Sequence, residues 1–297
     1  MNLVEYPLNK LQIDNSKAAK LRRHDFLLFT IMGILAGCGL IYEYLLSHYA
    51  GRVLGAVEQV IFAMIGIMIV SMGLGAFAAR MFKSYFTAFA WLEVTIALIG
   101  ASSVLVLAGV TALANILPQI LIDTFSMPPD LMPRGGLIIW AQKIASTMPY
   151  VAGFILGFLI GMEIPLIANI RETIYGEHIE HNTGSVYGAD YIGAGFGAAL
   201  WVLFMLSLPP TIAAVITASV NLFVGLIFFS VYRKRINSVV FVAIAHIFVA
   251  GILVLILLNG TRWDNAMEDL LYKDKVVFSY NTQYQHITIT ERIMDPA

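Results

Sequence analysis

The run VVFVAIAHIFVAGILVLILL, residues 239–258, contains no Asp, Glu, Lys or Arg. It has the roughly 20 apolar residues that a helix needs to cross a bilayer. In lipid, a helix also bonds every backbone N–H and C=O within the segment. Stretches of this kind recur along the chain and predict helices at about 26–49, 56–80, 86–110, 137–170, 185–208, 211–232 and 238–258. The fold class expected is therefore an all-α polytopic membrane protein of about seven transmembrane helices. Composition agrees: 59% of the 297 residues are hydrophobic and 12% charged, about half the charge of an ordinary soluble domain.

Three regions follow: a basic N-terminal segment (1–25), the helical domain (26–258) and a tail (259–297). The fourth window exceeds one upright span, so it is tilted, bent near Pro149 or partly interfacial. Residues 111–135 read as a short amphipathic piece and then a loop with Pro128, Pro129 and Pro133. The single Cys38 excludes a disulfide framework and a thiolate metal site. No metal or cofactor is expected, and a net charge of -1 without a basic domain gives no sign of a nucleic-acid partner. Basic residues before the first span, then Arg80, Lys83, Arg171 and Arg233–Arg235, share one side, which places the N-terminus in the cytoplasm.

Four acids fall inside the windows: Glu43, Glu93, Glu163 and Asp190. A carboxylate at mid-bilayer costs about 2.5–3.5 kcal/mol, which makes each a candidate site residue. At 1.5 Å per residue, Glu93, Glu163 and Asp190 lie roughly 8–10 Å below the cytoplasmic boundary, and Glu43 lies nearer the opposite face. These three are expected to converge on one cavity. Lys143, near the outer end of its window, is the one cation within the spans, so the acids are either neutral or visited by a cation. Tyr42 beside Glu43, and Tyr187 and Tyr191 around Asp190, could hold an ammonium through their rings. The faces Gly153-Gly157-Gly161 and Gly193-Gly197 are expected to pack on each other and bring Glu163 and Asp190 together. Pro165 deprives the Gly161 carbonyl of its usual donor. His246 and His48 stand isolated and read as structural. The GAGFGA stretch follows no strand, so it is not a dinucleotide loop.

In the tail, KVVFSYNTQYQHITIT reads as a β-hairpin around a turn at Asn281-Thr282. Val276, Phe278 and Tyr280 are expected on one face, and a lone hairpin needs a partner. The connection from the last helix is expected to be a polar segment around 264–275.

The segments IYEYLLSHYAGRVLGAVEQVIFAMIGIMIVSMGLGAF, GMEIPL, GADYIGAGFGAALW and QYQHITIT resemble, in order, the bacterial membrane-bound spermidine synthases. These are polyamine aminopropyltransferases fused to a multi-helix N-terminal domain. The resemblance implies location in the bacterial inner membrane and a polyamine ligand, putrescine or spermidine, beside the membrane lipid. It also implies that the tail strands open a synthase domain, with Tyr284 and Gln285 a remnant of its aminopropyl-donor pocket. The resemblance further implies a Rossmann-like catalytic domain that these 297 residues do not show, so no catalytic residue is assigned. The expectation is a membrane module that binds and possibly transports polyamines, completed by a synthase domain or a separate synthase polypeptide, with a homo-oligomer conceivable. Two rivals stand beside it: a proton- or cation-coupled transporter of small molecules, and a structural membrane anchor for a synthase.

Overall fold

A computed structural model describes residues 8–55, 57–126, 128, 135–176, 181–272, 275–281 and 286–291, with side chains of the first helix from residue 19 onward. The helices are α1 (Leu8–Leu54), α2 (Val57–Ala78), α3 (Tyr85–Phe125), α4 (Leu137–Ile160), α5 (Glu163–Tyr175), α6 (Asn182–Leu203), α7 (Pro210–Tyr232) and α8 (Val239–Leu271). With α4 and α5 counted as one stretch, seven are long and apolar enough to cross a membrane. The strands β1 (Lys275–Asn281) and β2 (His286–Glu291) pair antiparallel.

Several boundaries differ from expectation. The fourth window breaks at Gly161-Met162 rather than at Pro149, which lies inside the unbroken α4. Pro165 supplies the reason, since it has no N–H to offer the Gly161 carbonyl one turn earlier. Within the first turn of the new helix α5, a missing N–H costs nothing. Residues 111–125 are not a separate piece but the end of α3, which continues through Pro118 and packs along α8, with Met267 against Gly109. Pro129 and Pro133 lie outside the described residues. The expected polar connection after the last span is the end of α8, helical to Leu271. Helix α6 stops at Leu203, short of the expected end, because Pro209 and Pro210 lie ahead; Pro210 opens α7 at its first position, where proline is favoured.

Helix α1 packs against α6, α2 and α7, and α3 against α7, α8 and α4. Tyr42, Phe89, Phe228, Leu28, Met64 and Met68 fill the interior between them. The glycine faces do not meet each other as expected. A Cβ on Gly157 or Gly161 would strike Met68 or Met72 of α2, whereas one on Gly193 or Gly197 would strike Gly33 or Gly37 of α1. Each face holds its helix against a different neighbour.

The two ends of the bundle are tied differently. At one, His24 and Tyr232 lie 3.0 Å apart, and Arg171 pairs with Asp25 at 2.9 Å. At the other, Thr211 donates to Asp264 at 2.6 Å. The hairpin sits at this second end, where Thr288 donates to Glu268 and the Val276 N–H to Asp269. A β-bulge between Val276 and Phe278 shifts the alternation. Phe278 opposes Ile289 and Tyr280 opposes Ile287, while Val276 opposes Thr290, so the simple alternation expected through Val276 does not hold. Asn281 is the last residue of β1 and faces His286, so the connection begins one residue later than the expected turn.

Candidate functional site

Glu163 occupies the first turn of α5 and is 1% exposed. A helix start carries partial positive charge and favours an anion, so the break after Gly161 creates a place for this acid inside the bundle. Glu93 on α3 has no exposure at all. Asn221 of α7 reaches across to it, its Nδ2 donating to Glu93 Oε2 at 2.8 Å and to the Glu93 carbonyl at 3.2 Å. One turn further along α7, Gly225 leaves room for the Glu93 stem: a Cβ there would stand 2.8 Å from Glu93 Cβ and 3.6 Å from His246 Nε2. His246 therefore shares this notch. Its Nδ1 lies 2.8 Å from the Val242 carbonyl, which only accepts, so Nδ1 carries a proton.

Tyr42 of α1 is buried against Gly100, and its hydroxyl has no hydrogen-bond partner. The same holds for Glu93 Oε1, Glu163 Oε2 and His246 Nε2. Buried polar atoms are paired as a rule, and an orphan costs about 1–3 kcal/mol. Glu93 and Asp190 act electrostatically on Glu163, and Glu93, Glu163 and Cys38 on Tyr42. Among these named neighbours there is no cation.

The structure thus brings Glu93 and Glu163 together in the interior, with the half-buried Asp190 within electrostatic range on α6. Glu43 is half-buried on another side of α1, apart from this group. Tyr187 and Tyr191 stack on each other with ring centres 6.0 Å apart and are exposed at 40% and 71%. Tyr284 and Gln285 lie outside the described residues. A cavity of about 570 Å³ between α1, α6 and α7 is lined by none of the four acids.

Sequence reasoning missed Asn221 and Gly225 and read His246 as merely structural. It also took Arg171 for a loop cation. Arg171 is 5% exposed, with Nε on Asp25 Oδ1, Nη1 donating to Asn182 Oδ1 at 2.6 Å, and its guanidinium 4.4 Å from the Phe29 ring centre. Asn182 donates onward to the Ala168 carbonyl, and Tyr175 donates to the other Asp25 oxygen. This network joins α1, α5 and α6 about 12 Å along α5 from Glu163.

A helical bundle with two buried carboxylates apart from its buried, ion-paired arginine is the class these features define. Comparison with known proteins narrows it. The chain is 51% identical over 269 residues, 91% of its length and 47% of the relative's, to a polyamine aminopropyltransferase of Shewanella oneidensis. It is 27% identical over 275 residues to the polyamine aminopropyltransferase of Oceanobacillus iheyensis, covering 91% of this chain and 48% of that one. Polyamine aminopropyltransferase 1 of Streptomyces coelicolor is 28% identical over 278 residues, 89% of this chain and 46% of the relative. The chain spans about half the length of these relatives. No family model and no solved structure matches it.

These matches correct the functional expectation. The similarity runs along 91% of this chain to proteins named for the transferase itself. That overturns the reading that set aminopropyl transfer apart from the chain, as a polyamine-binding module whose catalytic domain lies elsewhere. The rival readings, a coupled transporter and a bare anchor, gain no support from any of these relatives.

Proposed function

We propose that the chain works in polyamine aminopropyl transfer, as a membrane-embedded polyamine aminopropyltransferase. The observation that carries this is the 51% identity sustained over 269 residues. Embedding is supported by the outer surface: Phe62, Ile69, Trp140, Ile247, Phe248 and Leu258 are each more than 60% exposed. Exposed apolar area costs about 25 cal/mol per Å² in water and nothing comparable in lipid. The helical domain is the N-terminal membrane part that the resemblance implies, seated in the bacterial inner membrane. Arg80, Lys83 and Arg233–Arg235 share the Asp25 end, which faces the cytoplasm by the charge bias of loops.

Glu93 and Glu163 hold one amino group of the polyamine. An ammonium has three N–H donors and no acceptor. Of the unpartnered buried atoms, the two carboxylate oxygens and the Tyr42 hydroxyl can accept from it, and His246 Nε2 accepts in the neutral tautomer. Asp190 stands within electrostatic reach of Glu163, placed to meet a second amino group.

The test uses membranes from cells expressing the gene, with a labelled aminopropyl donor and increasing diamine. Transfer above membranes that lack the gene product is expected, and its absence would defeat the assignment of activity. In Glu163→Gln the diamine concentration for half-maximal transfer should rise about tenfold or more, the loss of one charge-assisted contact. An unchanged diamine dependence with transfer intact would remove the amine site while leaving the activity in place.

A further inference from the structure

The apolar cavity of about 570 Å³ is a groove. Helix α6 lies on α1 through Gly33 against Gly193 and Gly37 against Gly197, backbone on backbone. Helix α7 packs on α1 from another side, and the slot left between α6 and α7 is floored by Gly33, Gly37 and Cys38 and walled by Phe196 and Val220. It opens outward, with Phe26 75%, Phe196 69% and Val220 40% exposed. No acid lines it, so a polyamine has no counter-charge there.

The groove has a polar end. Along α1 its floor follows one helix stripe, Gly37, Gly33, Thr30, Phe26, in steps of three and four residues. Residues so spaced stack on one face, and the next position on that face towards the helix start is the exposed Arg23, three residues before Phe26. A cation therefore stands at the mouth of an apolar slot, at the basic end of the bundle. That pairing of apolar slot and terminal cation matches an amphiphile with an anionic head.

We infer that this groove binds one acyl chain of an anionic phospholipid, whose phosphate is held by Arg23. The inference rests on the membrane-embedded reading above. Its size lies within the range of sites that enclose a small ligand, about 300–1,000 Å³, and the apolar lining suits a hydrocarbon chain. A guanidinium can bond a phosphate bidentately, a contact open to Arg23 at this position.

The experiment takes the chain purified in mild detergent, adds phosphatidylglycerol or phosphatidylcholine, and counts retained lipid by native mass spectrometry. The chain should keep one phosphatidylglycerol with at least tenfold preference over phosphatidylcholine. Val220→Trp fills the slot and should retain neither lipid above background. Arg23→Gln should bring the two lipids to equal retention. Phosphatidylglycerol retained by Val220→Trp as in the parent protein overturns the groove, and equal retention of both lipids by the parent overturns the head-group contact. Because Val220→Trp could disturb folding, the parent's unfolding temperature is also measured with each lipid. A ligand that binds only the folded chain raises it, so phosphatidylglycerol should raise it more than phosphatidylcholine, and no difference overturns the proposal. Extraction of the chain from membranes by alkaline carbonate would instead count against embedding, which separates failure of that reading from failure of this one.

Discussion

Arg171→Met removes the guanidinium that joins α1, α5 and α6 while keeping an unbranched stem over Phe29. It takes the cation from the Asp25 carboxylate, which keeps only the Tyr175 hydroxyl, and leaves the Asn182 carbonyl oxygen without its donor. Breaking a buried ion pair on one side costs about 3–5 kcal/mol, chiefly because an uncompensated charge remains. The Asp25 side chain keeps 21% exposure, so water relieves part of this, and the lower end, about 3 kcal/mol, is expected. Asp25→Asn alone should cost less, since the amide still accepts from Arg171. In the double variant the stranded charge is gone, so its cost should fall short of the two single costs added together. Contacting residues couple by about 0.5–3 kcal/mol. The assay is equilibrium unfolding of the four proteins in mixed micelles titrated with SDS, followed by circular dichroism. Strict additivity, or an Arg171→Met protein as stable as the parent, would refute the claim that this pair clamps the helices.

Gly193→Ala should destabilise by more than the usual 1–3 kcal/mol of overpacking, because its Cβ would fall 1.9 Å from the Gly33 carbonyl oxygen, a backbone atom that cannot step aside. Gly195→Ala, which meets open space, should be neutral or gain up to about 1 kcal/mol in helix propensity; equal behaviour of the two in thermal unfolding would contradict the packing. Asn221→Leu leaves Glu93 Oε2 without its donor and should cost about 1–3 kcal/mol in the same measurement, and an unchanged midpoint would mean the bond contributes nothing. For orientation, in a Cys38→Ser background a cysteine at Tyr272 should react with an impermeant maleimide on intact cells while one at Lys83 should not; the reverse pattern would invert the proposed topology.

The long apolar helices were legible because length and apolar character are local properties, readable without knowing any neighbour. The break in the fourth stretch was half legible. Pro165 and the Gly161 carbonyl it cannot serve mark the place, but Pro149 is an equal break signal in the sequence, and helix α4 carries it without interruption. Partner choice was not legible at all. Gly153-Gly157-Gly161 and Gly193-Gly197 announce close approach without saying to what, and the structure gives them to α2 and α1 separately. Residue counting put Glu93, Glu163 and Asp190 at one expected depth. Asn221 and His246 escaped it because each is a single polar residue on its own apolar helix, and only the notch at Gly225 relates them to Glu93.

Helix α5 carries the argument furthest. It is 13 residues long, with Glu163 in its first turn and Arg171 towards its last. An acid at a helix start and a cation near its end both suit the helix dipole, and α5 closes at Gly176, whose φ of 77° ends the helix without a side-chain clash. Its two buried charged residues, Glu163 and Arg171, have opposite circumstances. Arg171 has its carboxylate, an amide and a ring around it, whereas Glu163 keeps an oxygen without a partner. The clamped end therefore fixes where the unsatisfied end sits, because a helix this short, broken from α4 by its own sequence, has no continuous backbone ladder to hold Glu163 in register. Loosening the clamp should then be felt 12 Å away along the helix: Arg171→Met should weaken the dependence of transfer on diamine in the same direction as Glu163→Gln, though Arg171 touches none of the orphaned atoms. Arg171→Met with lowered stability and an unaltered diamine dependence would show that the two ends of α5 act independently.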